Sequence, residues 1–153
     1  MRAVAQRCRA ASVEVAGDVV AQIGCGLCVF AAAGRDDGPD DVRYLAGKLA
    51  GLRVFPRPGA TPPRMVAGLA EVGGSLLLIP QFTLYGDTLH GLRPDFRGAA
   101  APEAGRALVA ALGQALRDAG VPVCEGVFGA DMRVQVDNDG PVTILLDSGT
   151  RRT

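Results

Sequence analysis

The sequence predicts an α+β domain: a mostly antiparallel or mixed β-sheet carrying two main helices. Three observations predict it. Short apolar runs, several with alternating polarity, recur from Arg2 to Leu146. Two segments carry apolar residues at spacings of three and four, which is the signature of a helix with one buried face. These helical segments do not alternate strictly with the strands, which argues against a doubly wound parallel sheet. The chain has 153 residues, a length that favours one domain and lets about two thirds of the unfolded surface be buried without disulfides or metal. We assign residues 1–147 to that domain and expect 148–153, SGTRRT, to be a flexible tail.

The elements follow in order. Val4, Val13 and Val15 lie in a roughly alternating stretch from Arg2 to Val15, and Ala16-Gly17-Asp18 then supplies a hairpin turn before Val19 to Ile23. Leu27 to Ala31 is a short apolar run, expected as a buried strand. Asp36-Asp37-Gly38-Pro39-Asp40-Asp41 offers capping carboxylates, an early proline and negative charge at the positive end of a helix dipole. Val42, Leu45, Leu49 and Leu52 then form one apolar face, despite Gly47 and Gly51. Pro56 to Pro63 contains four prolines and must be an irregular loop. Ser75 to Tyr85 reads as the best strand of the chain. A second helix runs from about Pro102 to Ala119, with Leu108, Leu112 and Leu116 as its stripe and Gly120 and Pro122 as its stop. Met132, Val134 and Val136 alternate, Val142 to Leu146 is apolar, and Asn138-Asp139-Gly140-Pro141 separates them.

Charge limits the function classes. Sixteen basic and sixteen acidic residues cancel, so no strongly basic stripe for nucleic acid is present. Local clusters remain at Arg2, Arg7 and Arg9 and at Arg93 and Arg97; RNA, if bound, is held by local contacts with modest salt dependence. No apolar run is long enough to span a bilayer, and MRAVAQRCRA lacks the apolar core of a signal peptide. This points to the cytoplasm, where thiols stay reduced.

Most candidate chemistry has a plainer structural reading. Cys25-Gly-Leu-Cys28 is a C-x-x-C, but it leads into a strand rather than a helix, and a zinc site would have to recruit Cys8, Cys124 or His90 from afar. Small buried hydrophobes are the better account. His90, the only histidine, sits in a polar loop and reads as a solvated side chain. No G-x-S-x-G is present, and a triad would need His90 with Ser12, Ser75 or Ser148. Asp36, Asp37, Asp40 and Asp41 fit helix capping better than cation binding, and Asp131, Asp137 and Asp139 are too scattered to support a metal. Two segments stay unexplained. Pro80 interrupts a strand and is followed by Gln81 and Thr83, which implies either an edge strand or a bulge that frees backbone groups for a ligand. Asn138-Asp139-Gly140-Pro141 is turn chemistry with a Gly-Pro bond of either isomer.

Taken together, these segments resemble D-aminoacyl-tRNA deacylases. The carriers are Met1-Arg-Ala-Val with Gln6-Arg7, Pro80-Gln-Phe-Thr-Leu-Tyr85, Gly91-Leu-Arg-Pro-Asp-Phe96, Phe128-Gly-Ala-Asp-Met132 and Asn138-Asp-Gly-Pro-Val-Thr143. The resemblance covers nearly the whole chain. It implies a barrel-like α+β subunit, a homodimer with its active site at the interface, and no cofactor. It implies hydrolysis of the ester joining a D-amino acid, or glycine, to the 3′-terminal adenosine of tRNA. Gly140 and Pro141, cis in the family, would enter the partner subunit's site and exclude an L side chain. The backbone at Gln81, Phe82 and Thr83 is expected to supply oxyanion donors. Phe82 would also shape the pocket, with Pro80, Asn138 and Met132 contributing to substrate binding or chiral selectivity. The family usually has serine where Pro80 stands; a related deacylase more tolerant of L-amino acids has Pro-Gln there, so relaxed chirality is one alternative. A same-fold protein that binds charged tRNA or a nucleotide without catalysis is another. Pro63-Arg-Met-Val-Ala-Gly68 and Asp95 also depart from the family pattern, which bears on tRNA affinity and rate.

Overall fold

In a computed structural model, which describes residues 1–62 and 64–150, the chain forms a nearly closed, barrel-like mixed sheet with two helices on one side. The long strand β1 (Arg2–Val15) organises it. Its first half pairs antiparallel with β3 (Gly26–Ala32) and its second half with β2 (Asp18–Ile23). Ala16 and Gly17, both with positive φ, make the two-residue turn between β1 and β2. β4 (Ser75–Pro80) and β5 (Val123–Glu125) extend the sheet parallel to β3, and β6 (Arg133–Asp147) runs antiparallel along the other edge of β1. Helices α1 (Pro39–Ala50) and α2 (Pro102–Asp118) are the crossovers of the parallel trio. The sheet is therefore mixed, with local β-α-β units set between antiparallel strands.

Two apolar layers hold it. Leu76 and Leu78 of β4 face the helices, where they meet Leu45 and Leu49 of α1 and Leu112 and Leu116 of α2. Leu77 and Ile79 face the barrel interior with Cys8, Val13 and Cys28. β4 is thus buried on both faces, which explains a continuous apolar run rather than an alternating one. Along β1, Ala3 and Ala5 face the helices, while Cys8, Ala11 and Val13 face the interior. The register irregularity between Cys8 and Ala10 lets Ala11 fall on the same face as Cys8, since one extra residue reverses the alternation.

Helix α1 begins as its sequence requires. Pro39 occupies the first turn, and the Asp41 carboxylate accepts the Gly38 N–H at 2.9 Å. α2 turns Val109, Leu112 and Leu116 inward, while Leu108 is half-buried. The proline-rich segment is irregular over 56–62; Pro63 lies outside the described residues.

Three expectations are corrected. The strand from Ser75 does not reach Tyr85; it ends at Pro80, and Phe82–Tyr85 is a 3₁₀ turn. The two late strands are one element, β6, which passes through Asn138–Pro141. Ser148, placed in the tail, is fully buried, and its hydroxyl accepts a hydrogen bond from the Met1 nitrogen. Residues 151–153 lie outside the described residues. No described helix is long and apolar enough to cross a membrane.

Candidate functional site

Pro80 is neither on an edge strand nor in a bulge. β4 lies between β3 and β5, and its pairing with β3 runs in even register from Ser75 to Pro80. Ser75 and Gln81 donate to Cys25 and Ala31 of the β3 side, whereas Leu76 donates to Pro122 on the β5 side. By alternation the Pro80 nitrogen points to the β5 side, where paired residues end at Leu78–Glu125 and Gly126 then donates to the Leu78 carbonyl. Proline therefore costs no ladder bond and ends the strand.

The chain then turns. Gln81 makes the last bond to β3 at 2.8 Å, and Leu84 and Gly86 donate back to Gln81 and Thr83 at 3.1 and 2.9 Å. The Phe82 and Thr83 N–H groups, at the start of the 3₁₀ turn, have no main-chain partner among the described residues. The Gln81 amide donates to the Thr83 hydroxyl oxygen, so both side chains are held at the turn. Phe82 is 57% exposed and meets Phe96 edge-on at 5.2 Å.

A brace fixes this turn from behind. The Tyr85 hydroxyl donates to Asp37 at 2.9 Å, and the Arg2 guanidinium lies 4.5 Å over the Tyr85 ring while donating to the Leu84 carbonyl at 3.1 Å. Burial, then the hydrogen bond and charge of Asp37, push the Tyr85 phenol above its ordinary range, against the opposing pull of Arg2. Asp37 also accepts from the Gly34 N–H and pairs with the Met1 nitrogen at 2.7 Å. The ring rests on Gly34, where a Cβ would stand only 2.7–2.9 Å from its atoms.

In front of the turn lies a cavity of about 270 Å³. One wall is Ala31–Ala33 with Gln81 and Phe82; the other is Pro102, Gly105 and Val109 of α2 with Phe128. Its surface is almost wholly apolar, the character of a pocket for an apolar group rather than for a charged one. Met132 and Pro80 meet nearby across Gly126: a Cβ on that glycine would fall 2.9 Å from the Met132 sulfur and 3.7 Å from Pro80.

Asn138, Gly140 and Pro141 form a second, separate cluster. The Gly140–Pro141 peptide is cis, and both residues are exposed. Two side chains of β1 clamp the segment. Gln6 donates to the Asn138 side chain at 2.9 Å and accepts from the Thr143 hydroxyl. Arg7, only 11% exposed, donates to the Asp139 carbonyl at 3.1 Å and to the Val54 carbonyl, and pairs with the Asp139 carboxylate. Gly140 has φ 124°, and a Cβ there would press on Val142 and on the Arg7 guanidinium at 3.1 Å, so glycine is required.

The two clusters do not meet in one chain. Arg2 touches the turn, whereas Gln6 and Arg7, four and five residues further along β1, touch the Gly-Pro segment. At ~3.4 Å per residue that is ~14–17 Å.

The remaining motifs take their structural readings. Cys28 is fully buried and Cys25 exposed, and burial pushes the Cys28 thiol up to about 12. His90 is exposed in the loop closed by the Asp87–Asp95 bridge. Asp139 pairs with Arg7 and Arg9. Among the described residues no group of three or more His, Cys, Asp or Glu is placed to hold a metal. Sequence reasoning misses the cavity's far wall: Phe128 counts there only as a carrier of the family resemblance, and Gly105 and Val109 look like ordinary helix residues. The clamp by Gln6 and Arg7 was equally hidden, because it links residues more than 130 apart.

The chain is similar to known proteins over nearly its whole length. The family model for D-Tyr-tRNA(Tyr) deacylase matches residues 4–147. The chain is 51% identical over 148 residues to a D-aminoacyl-tRNA deacylase of Anaeromyxobacter dehalogenans, covering 97% of both chains. It is 46% identical over 151 residues to one of Thermus aquaticus, covering 99% and 97%. Among solved structures it is similar to a c-Myc DNA unwinding element binding protein, at 33% identity and TM-score 0.88 over 96% of this chain and 98% of that one. A probable eukaryotic D-amino acid tRNA deacylase shares the fold at 21% identity and TM-score 0.81, over 95% and 97% of the two chains.

Proposed function

The chain belongs to the D-aminoacyl-tRNA deacylase family, and on that premise we propose that the turn after β4 is where it hydrolyses the ester of a D-aminoacyl-tRNA to free amino acid and tRNA. The observation that carries this reading is the pair of N–H groups at Phe82 and Thr83, unpartnered on the main chain and set beside an apolar cavity. An aminoacyl ester is already activated. Fixed N–H donors aimed at the developing oxyanion, with the ester held in place, lower much of the remaining barrier without a charged nucleophile. The 2′-hydroxyl of the terminal ribose is available as the proton-transfer partner. The cavity takes the adenine, and Phe82, Pro80 and Met132 shape the path from it to the turn.

Chirality requires something on the far side of the amino acid. Gly140 and Pro141 are exposed, rigidly clamped and too far from their own chain's turn to serve it, so in this reading they reach the turn of a second copy. Their carbonyls then occupy the space an L side chain needs, with Asn138 fixing the segment. Glycine has no side chain to exclude, so a glycyl ester is accepted. The protein is accordingly a homodimer that proofreads chirality.

The test is deacylation of matched D-Tyr-tRNA, L-Tyr-tRNA and Gly-tRNA by the purified protein. The reading predicts loss of the D and glycyl esters at concentrations that leave the L ester intact. Similar rates on D and L esters would mark the relaxed chirality that Pro80 suggested. One solved neighbour is named for binding rather than hydrolysis, so a binding protein on this fold is a second reading. Capture of a D-aminoacyl-adenosine analogue with no turnover of any ester would select it.

A further inference from the structure

Arg106 stands beside the cavity, stacked on its lining residue Phe128, with nothing in the proposed reaction to occupy it. Its guanidinium lies 4.7 Å over the Phe128 ring, and its Nη2 is 4.0 Å from where a Cβ on Gly129 would be. Phe128, Gly129 and the preceding residue Gly105 all line the cavity. Arg106 is exposed, and it makes no hydrogen bond or ion pair among the described residues. Glu103, one turn earlier on α2, does not pair with it. The aromatic face is thus the partner that orients this cation. An exposed, unpaired arginine fixed at the rim of an apolar cavity is suited to a polyanionic group attached to whatever the cavity buries.

Nucleotide chemistry says which group that is. In a 3′-terminal nucleotide the aminoacyl ester sits on the 2′ or 3′ oxygen, and the phosphodiester leaves from the 5′ carbon on the other side of the sugar. The turn at Gln81 and Phe82 forms one wall of the cavity and the Arg106–Phe128 pair belongs to the other. With the ester at the turn, the 5′ phosphate faces the Arg106 side. We propose that Arg106 binds the phosphodiester joining the terminal adenosine to the preceding nucleotide. This inference rests on the ester-hydrolase reading above. It adds that the enzyme recognises a 5′-phosphorylated terminal nucleotide, not merely an adenosine ester.

The experiment uses the full chain, wild type and Arg106→Gln and Arg106→Lys, with three D-tyrosyl esters: of adenosine, of adenosine 5′-monophosphate, and of tRNA. Wild type is expected to show a KM about tenfold lower for the monophosphate ester than for the adenosine ester, the scale of one charge-assisted hydrogen bond. Arg106→Gln removes that preference, leaves kcat and the adenosine ester unchanged, and lowers the salt slope of log KM for tRNA by about 0.7, one single-strand phosphate contact. Arg106→Lys keeps most of the preference and the slope. The inference is overturned if wild type does not distinguish the two small esters, or if Arg106→Gln keeps the preference. It is also overturned if Arg106→Gln and Arg106→Lys impair both small esters alike, which would make Arg106 only a prop for Phe128. Hydrolysis of none of the three by wild type overturns the parent reading, and this one with it; hydrolysis of all three without a phosphate effect overturns this one alone.

Discussion

Replacing Gly34 by alanine probes the brace behind the turn proposed as the reactive one, without touching a residue assigned to substrate. Gly34 is buried, and a new Cβ would stand 2.7 Å from the Tyr85 hydroxyl oxygen and 2.8 and 2.9 Å from two ring carbons. Ordinary carbon contacts begin near ~3.5 Å, so the ring must retreat by roughly 0.6–0.8 Å. The tyrosine has little room to do so. Its hydroxyl is bonded to Asp37 at 2.9 Å and its ring lies under Arg2 at 4.5 Å. Overpacking of this kind costs about 1–3 kcal/mol. At about 3 °C per kcal/mol for a chain of this length, Tm falls by about 3–9 °C. Tyr85 is the last residue of the 3₁₀ turn that begins at Phe82, so the displacement is passed to the N–H donors. Misplacement approaching 1 Å at a reacting group costs up to about a hundredfold in rate. Thermal melts and single-turnover deacylation of D-Tyr-tRNA, at a temperature well below both melting points, measure the two effects separately. A variant that melts within 1 °C of wild type and turns over at the wild-type rate would refute the argument that this ring positions the turn.

Other outcomes follow from the same contacts. Arg7→Gln removes donors from the Asp139 and Val54 carbonyls and the ion pair to Asp139. The Gly-Pro segment loses its clamp, and the ratio of D to L hydrolysis is expected to fall about tenfold or more, equivalent to ~1.4 kcal/mol of lost discrimination; an unchanged ratio contradicts the gate. Burial pushes the Cys28 thiol up to about 12 in the fold, against 9.0 for a free thiol. The unfolded chain therefore loses this proton first, and stability declines as pH rises through that window, by at most ~1.4 kcal/mol per pH unit. Urea melts between pH 8 and roughly 10.5 should show a steeper alkaline decline for wild type than for Cys28→Ala; parallel curves would contradict the assignment.

The fold was legible because its strands and helices carry local signals. The 3–4 spacing of Leu45 and Leu49, the prolines opening both helices and the apolar runs at Leu27 and Leu76 all map onto elements seen. The errors lie where local and tertiary signals compete. Phe82, Leu84 and Tyr85 continue the apolar character of β4, but β3 ends at Ala32 and β5 at Glu125, so beyond Gln81, which makes the last bond to β3, the strand has no neighbour to pair with. Asn138–Pro141 reads as a turn because asparagine, glycine and proline favour turns; β1 overrides that by gripping the segment through Gln6 and Arg7. Ser148 looked like the first residue of a polar tail, and only the nearness of Met1 across the sheet explains its burial. Within the site, Gln81–Thr83 and Gly140–Pro141 stood out as oddities of composition. The cavity wall at Gly105, Val109 and Phe128 did not, because ordinary core residues become a pocket only through what faces them.

In the proposed enzyme one copy's Gln81–Thr83 turn works with the other copy's Gly140–Pro141 segment. This pairing is tested most directly by mixing two variants that are each inactive. Thr83→Pro removes a donor from the turn, and Pro141→Trp fills the space the segment would enter. After co-refolding in equal amounts, the account predicts that D-Tyr-tRNA hydrolysis returns to about a quarter of wild type, since about half of the dimers are mixed and each has one intact site. No recovery, with mixed dimers demonstrably formed, or a chain that is monomeric while active, would contradict it.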